Sequence, residues 1–301
     1  MLVDWRRYGP PVDGQQAGEG GGKEFQRIAD ELRGRMADGT YPLRSFLPSQ
    51  RDLAEELGVS RDTVQRALRE LASEGWIESR QGSGSRVVKT QRIQSPTPRA
   101  TRSRHGPRLE PLISEAFEQP EVTLDVYTLT SQTLDAHIRL QAERIHGGYI
   151  APQRIALRML LPDASLPMPY PRAKDDQSDP RPQERLRVIT ERHTASLLSA
   201  LNDLRTEGLV PSVEVQIRHA PLTPTFKVYL FNGGEALHGA YEVIERKIML
   251  DSDEEITALD VLGLGATLTH HVADGDPNSS GSVFVESMQK WFDSVWNLLA
   301  E

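Results

Sequence analysis

The stretch LPSQRDLAEELGVSRDTVQRALRELASEG, residues 47–75, constrains this chain more than any other feature. It holds two helix starts and one tight stop in a span that suits only two short crossed helices. Ser49 stands where a side-chain oxygen caps a helix, and Asp52 three residues on completes a capping box. Leu53 and Leu57 share that helix's inner face. Gly58 supplies the left-handed turn, and Val59 fills the angle behind it. Ser60 caps the next helix, whose buried stripe is Val64, Leu68 and Leu71. Upstream, Phe25, Ile28, Leu32 and Met36 recur at helical spacing from Lys23, and Gly39 ends that helix. Downstream, Trp76–Arg80 and Ser85–Val88 alternate as strands, joined by Gln81-Gly82-Ser83-Gly84. The pattern is helix-turn-helix followed by a β-hairpin wing.

A second helix of this kind enters the major groove of DNA by its N-terminal end. That places Ser60, Arg61, Asp62, Thr63, Gln65 and Arg66 at or near the duplex. Arginine takes guanine through two bonds and glutamine takes adenine likewise, while serine and threonine hydroxyls suit phosphates. Glycines in the wing allow close approach to the sugar-phosphate backbone. The string from Lys23 to Val88 resembles the winged helix of the GntR family of bacterial regulators almost position by position, over roughly a fifth of the chain. The resemblance implies DNA contacts from Arg51, Arg61, Thr63 and Gly82, with Gln81 and Ser83 beside the last. Two departures matter. Leu43-Arg44-Ser45-Phe46 replaces the usual Pro-Gly-Asp, and Gln65 stands where arginine is common, which alters base preference there. Taken singly, Asp62 and Arg69 also fit a solvated helix face.

The whole chain carries a net charge of −8, unusual for a partner of DNA. The charge is divided unevenly. Residues 1–108 sum to +5 and residues 109–301 to −13. Phosphate neutralisation needs local positive charge, so a basic head on an acidic body suits two separate tasks. There is no cysteine, which excludes disulfides, thiolate metal sites and cysteine nucleophiles and suits a cytoplasmic protein. No apolar run approaches the length of a membrane span. The first 22 residues lack the basic start and apolar core of a signal peptide and read as a Gly-rich mobile tail. Residues 91–109 contain five arginines, three prolines and no acid. They read as a linker, either a solvated tether or a basic arm with further phosphate or minor-groove contacts.

The remainder, 110–301, mixes element types. Strands are expected at Val122–Thr128, Ile155–Leu161, Ser212–His219, Phe226–Phe231 and Tyr241–Met249. Helices are expected at Ser131–His146, Arg185–Glu207 and Ser280–Leu299. Pro162–Gln183 reads as an exposed loop, and Asp251–Glu255 as a charged helix start. The fold class is therefore multi-domain: an N-terminal winged helix-turn-helix over 23–90 plus a C-terminal α/β effector-binding or dimerisation domain. The all-helical GntR partner domain fits poorly, the aminotransferase-like one needs a longer chain, and the chorismate-lyase-like pattern is not evident. Thr225–Gly233 is similar to the phospholipase D-like His-x-Lys-x4-Asp signature. Lys227 matches its lysine, while Thr225 and Asn232 stand where histidine and aspartate belong. Without that nucleophile no hydrolase is expected, but a sensing pocket around Lys227 and Asn232 is. His270-His271 with Asp274 and Asp276 reads as a loop rather than a metal site, since adjacent strand histidines face opposite ways. Gly263-Leu264-Gly265-Ala266 is too short for a nucleotide fingerprint. Trp291, Phe292 and Trp296 read as core, with a dimer seam as the other possibility. The expected partners are double-stranded DNA, a second copy of the chain and a small-molecule effector, phosphorylated or sugar-like molecules being the candidates; the alternative is a ligand-independent dimeric DNA-binding protein whose acidic domain recruits a protein partner. No cofactor, metal or membrane is expected.

Overall fold

The computed structural model describes residues 16–37, 39–80, 84–88, 93–94, 109–250, 254–261, 263 and 267–301. The N-terminal unit comprises α1 (Gln16–Ala37), α2 (Gln50–Leu57), α3 (Arg61–Ser73), β1 (Ile77–Arg80) and β2 (Gly84–Val87). Both caps form. Ser49 Oγ accepts from the Asp52 N–H and Ser60 Oγ from the Thr63 N–H, at 3.2 and 3.1 Å. Gly58 takes φ 67°, so α2 and α3 are joined through a left-handed residue. Ile28, Leu32 and Met36 of α1 close over Leu53, Val64, Leu68 and Leu71, with Trp76 and Val87 sealing the hairpin side. α1 begins earlier than the periodicity indicates: residues 16–22, expected as tail, are helical. Once the amphipathic turns from Phe25 are packed, each added residue extends an existing helix and escapes the cost of nucleation.

The linker also departs from a plain tether. Ile93–Gln94 forms β3 and pairs in parallel with Leu268–Thr269. The C-terminal domain follows with α4 (Leu109–Phe117), β4 (Glu121–Tyr127), α5 (Gln132–His146), β5 (Arg154–Pro162), β6 (Arg172–Ala173), α6 (Arg181–Thr206), β7 (Ser212–Ala220), β8 (Phe226–Phe231), β9 (Glu235–Ala240), β10 (Val243–Met249), β11 (Glu255–Val261), β12 (Leu268–Val272) and α7 (Ser280–Leu298). The main sheet has the order β3-β12-β9-β8-β4-β5-β7. Strands β4, β5 and β7 are parallel, as βαβ crossovers require, and β8 and β9 continue the sheet antiparallel. Alternation decides the two faces. Leu124, Val126, Tyr229 and Phe231 point to α4, α5 and α6, while Tyr127, Val228 and Leu230 point to α7. Phe292 and Trp296 fill that second layer, so these aromatics are core.

Three expectations need correction. Residues 162–183 are not simply an exposed loop: Tyr170 and Ala173 are buried, and β6 pairs with β11. Of the acidic run Asp251–Glu255, residues 251–253 lie outside the described residues, and Glu255 opens a strand rather than a helix. Glu255 pairs with Met249 in the β10–β11 hairpin, and the Leu250 N–H donates to the Glu254 carbonyl. Cross-strand pairing there outweighs the helix-start signal of the acids. His270 and His271 lie in β12, not in a loop. They face opposite ways as alternation demands, His270 toward Glu235 at 2.7 Å and His271 stacked on Phe284 at 3.7 Å.

Candidate nucleic-acid interface

α3 is divided lengthwise by what each face meets. Thr63, Val64, Ala67, Leu68 and Leu71 are buried in the N-terminal core. Arg61, Asp62, Gln65 and Arg69 are exposed, and the spacing of 61, 65 and 69 puts them along one stripe. Arg51 is exposed at the start of α2, and Ser60 is exposed at the α3 cap. Asp62 occupies the first turn, where its charge suits the helix dipole. Helical periodicity thus brings Arg51, Ser60, Arg61, Asp62 and Gln65 to solvent.

Two of the expected contacts are engaged elsewhere. Thr63 is 7% exposed, and its hydroxyl shares a 2.8 Å hydrogen bond with that of Ser60. It completes the cap from inside because residue N3 of a capped helix turns back toward the cap. Arg66 is half-buried, its guanidinium 4.6 Å from the centre of the Phe25 ring, so it braces α3 against α1. Gln81, Gly82 and Ser83 lie outside the described residues. One further candidate comes from the wing. Arg86 on β2 is exposed between inward-facing Ser85 and Val87, its Nε donates to the Arg44 carbonyl at 3.0 Å, and its guanidinium lies over Phe46. The alternation Ser-Arg-Val was the sequence signal for it.

The C-terminal end of α3 is tied to the C-terminal domain. Glu74 caps it and is buried, with Arg33 of α1 donating to both its oxygens, at 2.7 and 2.6 Å. Burial pushes the Glu74 carboxyl up, but the charge and hydrogen bonds of Arg33 outweigh this and hold it down at about 2. Burial and the neighbouring Glu74 push Glu70 up. Arg192 of α6 reaches both acids at 3.5 Å. Arg246 of β10 donates to the Ser73 carbonyl, and Arg185 of α6 to the Ser73 hydroxyl at 2.6 Å. Arg139 of α5 pairs with Asp30 of α1 at 3.2 Å. Four arginines from three C-terminal elements, α5, α6 and β10, therefore meet the two helices that frame the exposed stripe.

The two residues expected in a sensing pocket are not brought together. Lys227 is 1% exposed at the start of β8, on the face that carries α5. It lines a cavity that also reaches Glu74. Asn232 is at the other end of β8, in the turn to β9, with φ 48° and its Oδ1 accepting from the Thr123 N–H at 2.8 Å. Five residues of strand put the two roughly 16 Å apart. Asn232 serves the turn.

The family model of bacterial regulatory proteins, gntR family, matches residues 25–87. Residues 25–87 are a GntR-family helix-turn-helix domain. Similar proteins share this part. The Exu regulon transcriptional regulator of Escherichia coli K12 is 40% identical over 67 residues, covering 22% of this chain and 26% of that protein. The histidine utilization repressor of Pseudomonas putida is 37% identical over 81 residues, covering 26% and 33%. An HTH-type transcriptional regulator of Rhizobium meliloti is 37% identical over 82 residues, covering 27% and 34%. The alignments thus span about a third or less of each relative. Among solved structures, a GntR protein of Streptococcus agalactiae has a TM-score of 0.21 at 19% identity, covering 62% of this chain and 76% of that one. An archaeal chromatin protein has a TM-score of 0.28 at 10% identity, covering 91% and 92%. The GntR domain is followed here by the α/β domain described above.

Proposed function

We propose that this chain is a sequence-specific DNA-binding transcription regulator whose C-terminal domain senses a small molecule. The observation that carries the reading is the exposed stripe of Arg61, Gln65 and Arg69 on a capped helix, within a GntR-family domain. Arg61 and Gln65 read base edges. Ser60, Arg51 and the wing residue Arg86 engage phosphates. The acidic C-terminal half stays off the duplex by repulsion. A homodimer sets two such helices on half-sites about one turn apart. The effector acts through the junction at Glu74, which changes how firmly the reading helix is held. The regulator works in the cytoplasm, and repression is the sign that the names of two relatives favour. The reading contains no catalytic step, because Thr225 and Asn232 stand where a phosphodiesterase of the matching signature has its nucleophile and its aspartate.

Selection of duplexes from a random pool by the full chain tests this. The expected result is an enriched inverted repeat that Arg61→Ala no longer enriches. A pool recovered without any shared motif overturns the reading.

A further inference from the structure

Two cations are buried at the junction and form no ion pair among the described residues. Lys227 is 1% exposed, and its ammonium donates to the Gly263 carbonyl. Arg185 is 8% exposed and donates to neutral oxygens, the Met249 carbonyl at 2.7 Å and the Ser73 hydroxyl at 2.6 Å. Both line one cavity, whose other charged residues are Arg246, Asp260 and Glu74. The two acids are already committed, Asp260 to Arg246 and Glu74 to Arg33. With Lys227 protonated the cavity has more buried positive charge than the protein neutralises, an excess that loss of the Lys227 proton or the entry of an anion relieves.

The N-terminal end of α5 opens on the same cavity. Ser131 provides no side-chain cap, because its hydroxyl is bonded to that of Thr194 at 3.0 Å. Gln132 and Thr133 line the cavity, and Gln132 Nε2 is buried without a hydrogen-bond partner. Lys227 is a neighbour of this turn. Gly263, which accepts its bond, lies beside the Thr133 hydroxyl. The Lys227 charge also reaches His137, one turn further along α5, whose Nδ1 is buried and without a partner. Uncapped helix N–H groups, an unused amide donor and a buried ammonium are the parts of an anion site. Its place, outside the carboxyl end of β4, is where open α/β sheets hold ligands.

The size and walls of the cavity narrow the class. It has a volume of about 50 Å³, against roughly 10–15 Å³ for one water. Leu129, Leu186 and Ile189 supply apolar wall. A short carbon skeleton with one carboxylate suits both parts of this lining better than a bare inorganic ion. We propose that the cavity binds a small monocarboxylate through Lys227, Gln132 and the first turn of α5, and that its arrival frees the Ser73 hydroxyl from Arg185. This rests on the sensor reading above and gives it a ligand class and a route. The route is short. The carboxylate draws the guanidinium of Arg185 toward itself, and the bond it releases, to the Ser73 hydroxyl, is one of those that tie down the end of α3.

Calorimetric titration of the full chain with acetate, propionate and lactate tests the site, with chloride, sulfate and phosphate at matched ionic strength as controls. At least one monocarboxylate should bind with a Kd below about 1 mM, within what so few atoms achieve. Its Kd should be at least about tenfold lower than that of sulfate or phosphate, one factor of ten per 1.4 kcal/mol of selectivity. Lys227→Met and, separately, Gln132→Leu should each weaken it, with circular dichroism matching the parent chain. Saturation should change affinity for the selected duplex at least about fivefold, the lower bound of ordinary allosteric coupling. No monocarboxylate binding, or equal binding of sulfate or phosphate, overturns the site while leaving the DNA reading intact. Binding that depends on Lys227 but leaves DNA affinity unchanged overturns the release of Ser73. If no duplex is selected at all, the regulator reading fails and the titration still decides the site.

Discussion

Arg33→Met should be the most costly single change at the junction. The substitution keeps a long apolar stem in the α1 core and removes only the guanidinium. Glu74 would then be left buried with Arg192 alone, at 3.5 Å. Removing one partner of a buried ion pair costs about 3–5 kcal/mol. The direction of the Glu74 shift agrees. The Glu74 carboxyl is held from 4.5 down to about 2 against the push of burial, and each unit is about 1.4 kcal/mol, so its surroundings as a whole favour the folded carboxylate by about 3 kcal/mol. In the parent chain the sign is that of a depressed acid: the stabilisation is complete above pH 4.5 and is lost as pH falls toward 2. In Arg33→Met the sign reverses. The buried carboxyl is now pushed above its unfolded value, so the penalty is full at neutral pH and is relieved as pH falls toward 4.5. Urea unfolding followed by tryptophan fluorescence at pH 7.5 and 5.0 measures both effects, with Trp76 reporting from the N-terminal core. The double variant with Glu74→Gln should recover part of the loss, with a coupling of about 2–3 kcal/mol. A loss below about 1 kcal/mol, no change of the loss with pH, or simple additivity would refute the reasoning.

Other consequences are as specific. Arg61→Ala should cost about 1–3 kcal/mol of DNA binding and relax preference at one base pair, read by anisotropy on single-base variants of the selected duplex; an equal loss on every sequence would make Arg61 a phosphate contact instead. Burial holds Lys227 down at about 7, against 10.5 when exposed. Between those values the unfolded chain binds the extra proton, so stability should rise with pH by up to about 1.4 kcal/mol per unit. Lys227→Met should abolish this slope in unfolding curves taken at pH 7.5 and 9.5, and an unchanged slope would place the titration elsewhere. Gly58→Ala should destabilise by about 1–2 kcal/mol in thermal or urea unfolding, through backbone strain alone. Its φ is 67° and no atom lies within 4 Å of the added Cβ, so a neutral outcome would show the turn relaxing to another conformation.

Local signals made the N-terminal domain legible. Ser49, Gly58 and Ser60 act on their own helices within three or four residues, so each could be read without the rest of the fold. Strands β4, β5, β7, β8 and β10 of the C-terminal domain were legible for a related reason, since alternation or a continuous apolar run marks them one at a time, whereas β6, β9, β11 and β12 were not read as strands. Their order in the sheet was not, because pairing β4 with both β5 and β8 depends on residues more than thirty and a hundred positions away. The site was readable only in part. Arg61 and Gln65 follow from helical spacing. Thr63 and Arg66 do not, because the first turns inward to its own cap and the second is drawn to Phe25. Lys227 was noticed through a motif with Asn232, yet the strand between them separates the pair. The groups that surround Lys227 come instead from the start of α5 and from Gly263, which no contiguous pattern brings together. The junction at Glu74 was invisible for the same reason: Arg33, Glu74, Arg192 and Arg246 meet only in three dimensions.

The most direct test of the account is the ratio of affinities of the full chain for its selected duplex and for a scrambled duplex of equal length, measured by anisotropy at 150 mM salt. Specific recognition by the α3 stripe predicts a ratio of about 10³ or more, reduced sharply by Arg61→Ala. A ratio near one, with binding that only weakens as salt is raised, would mean that the basic head holds phosphates without reading sequence, and would contradict the account.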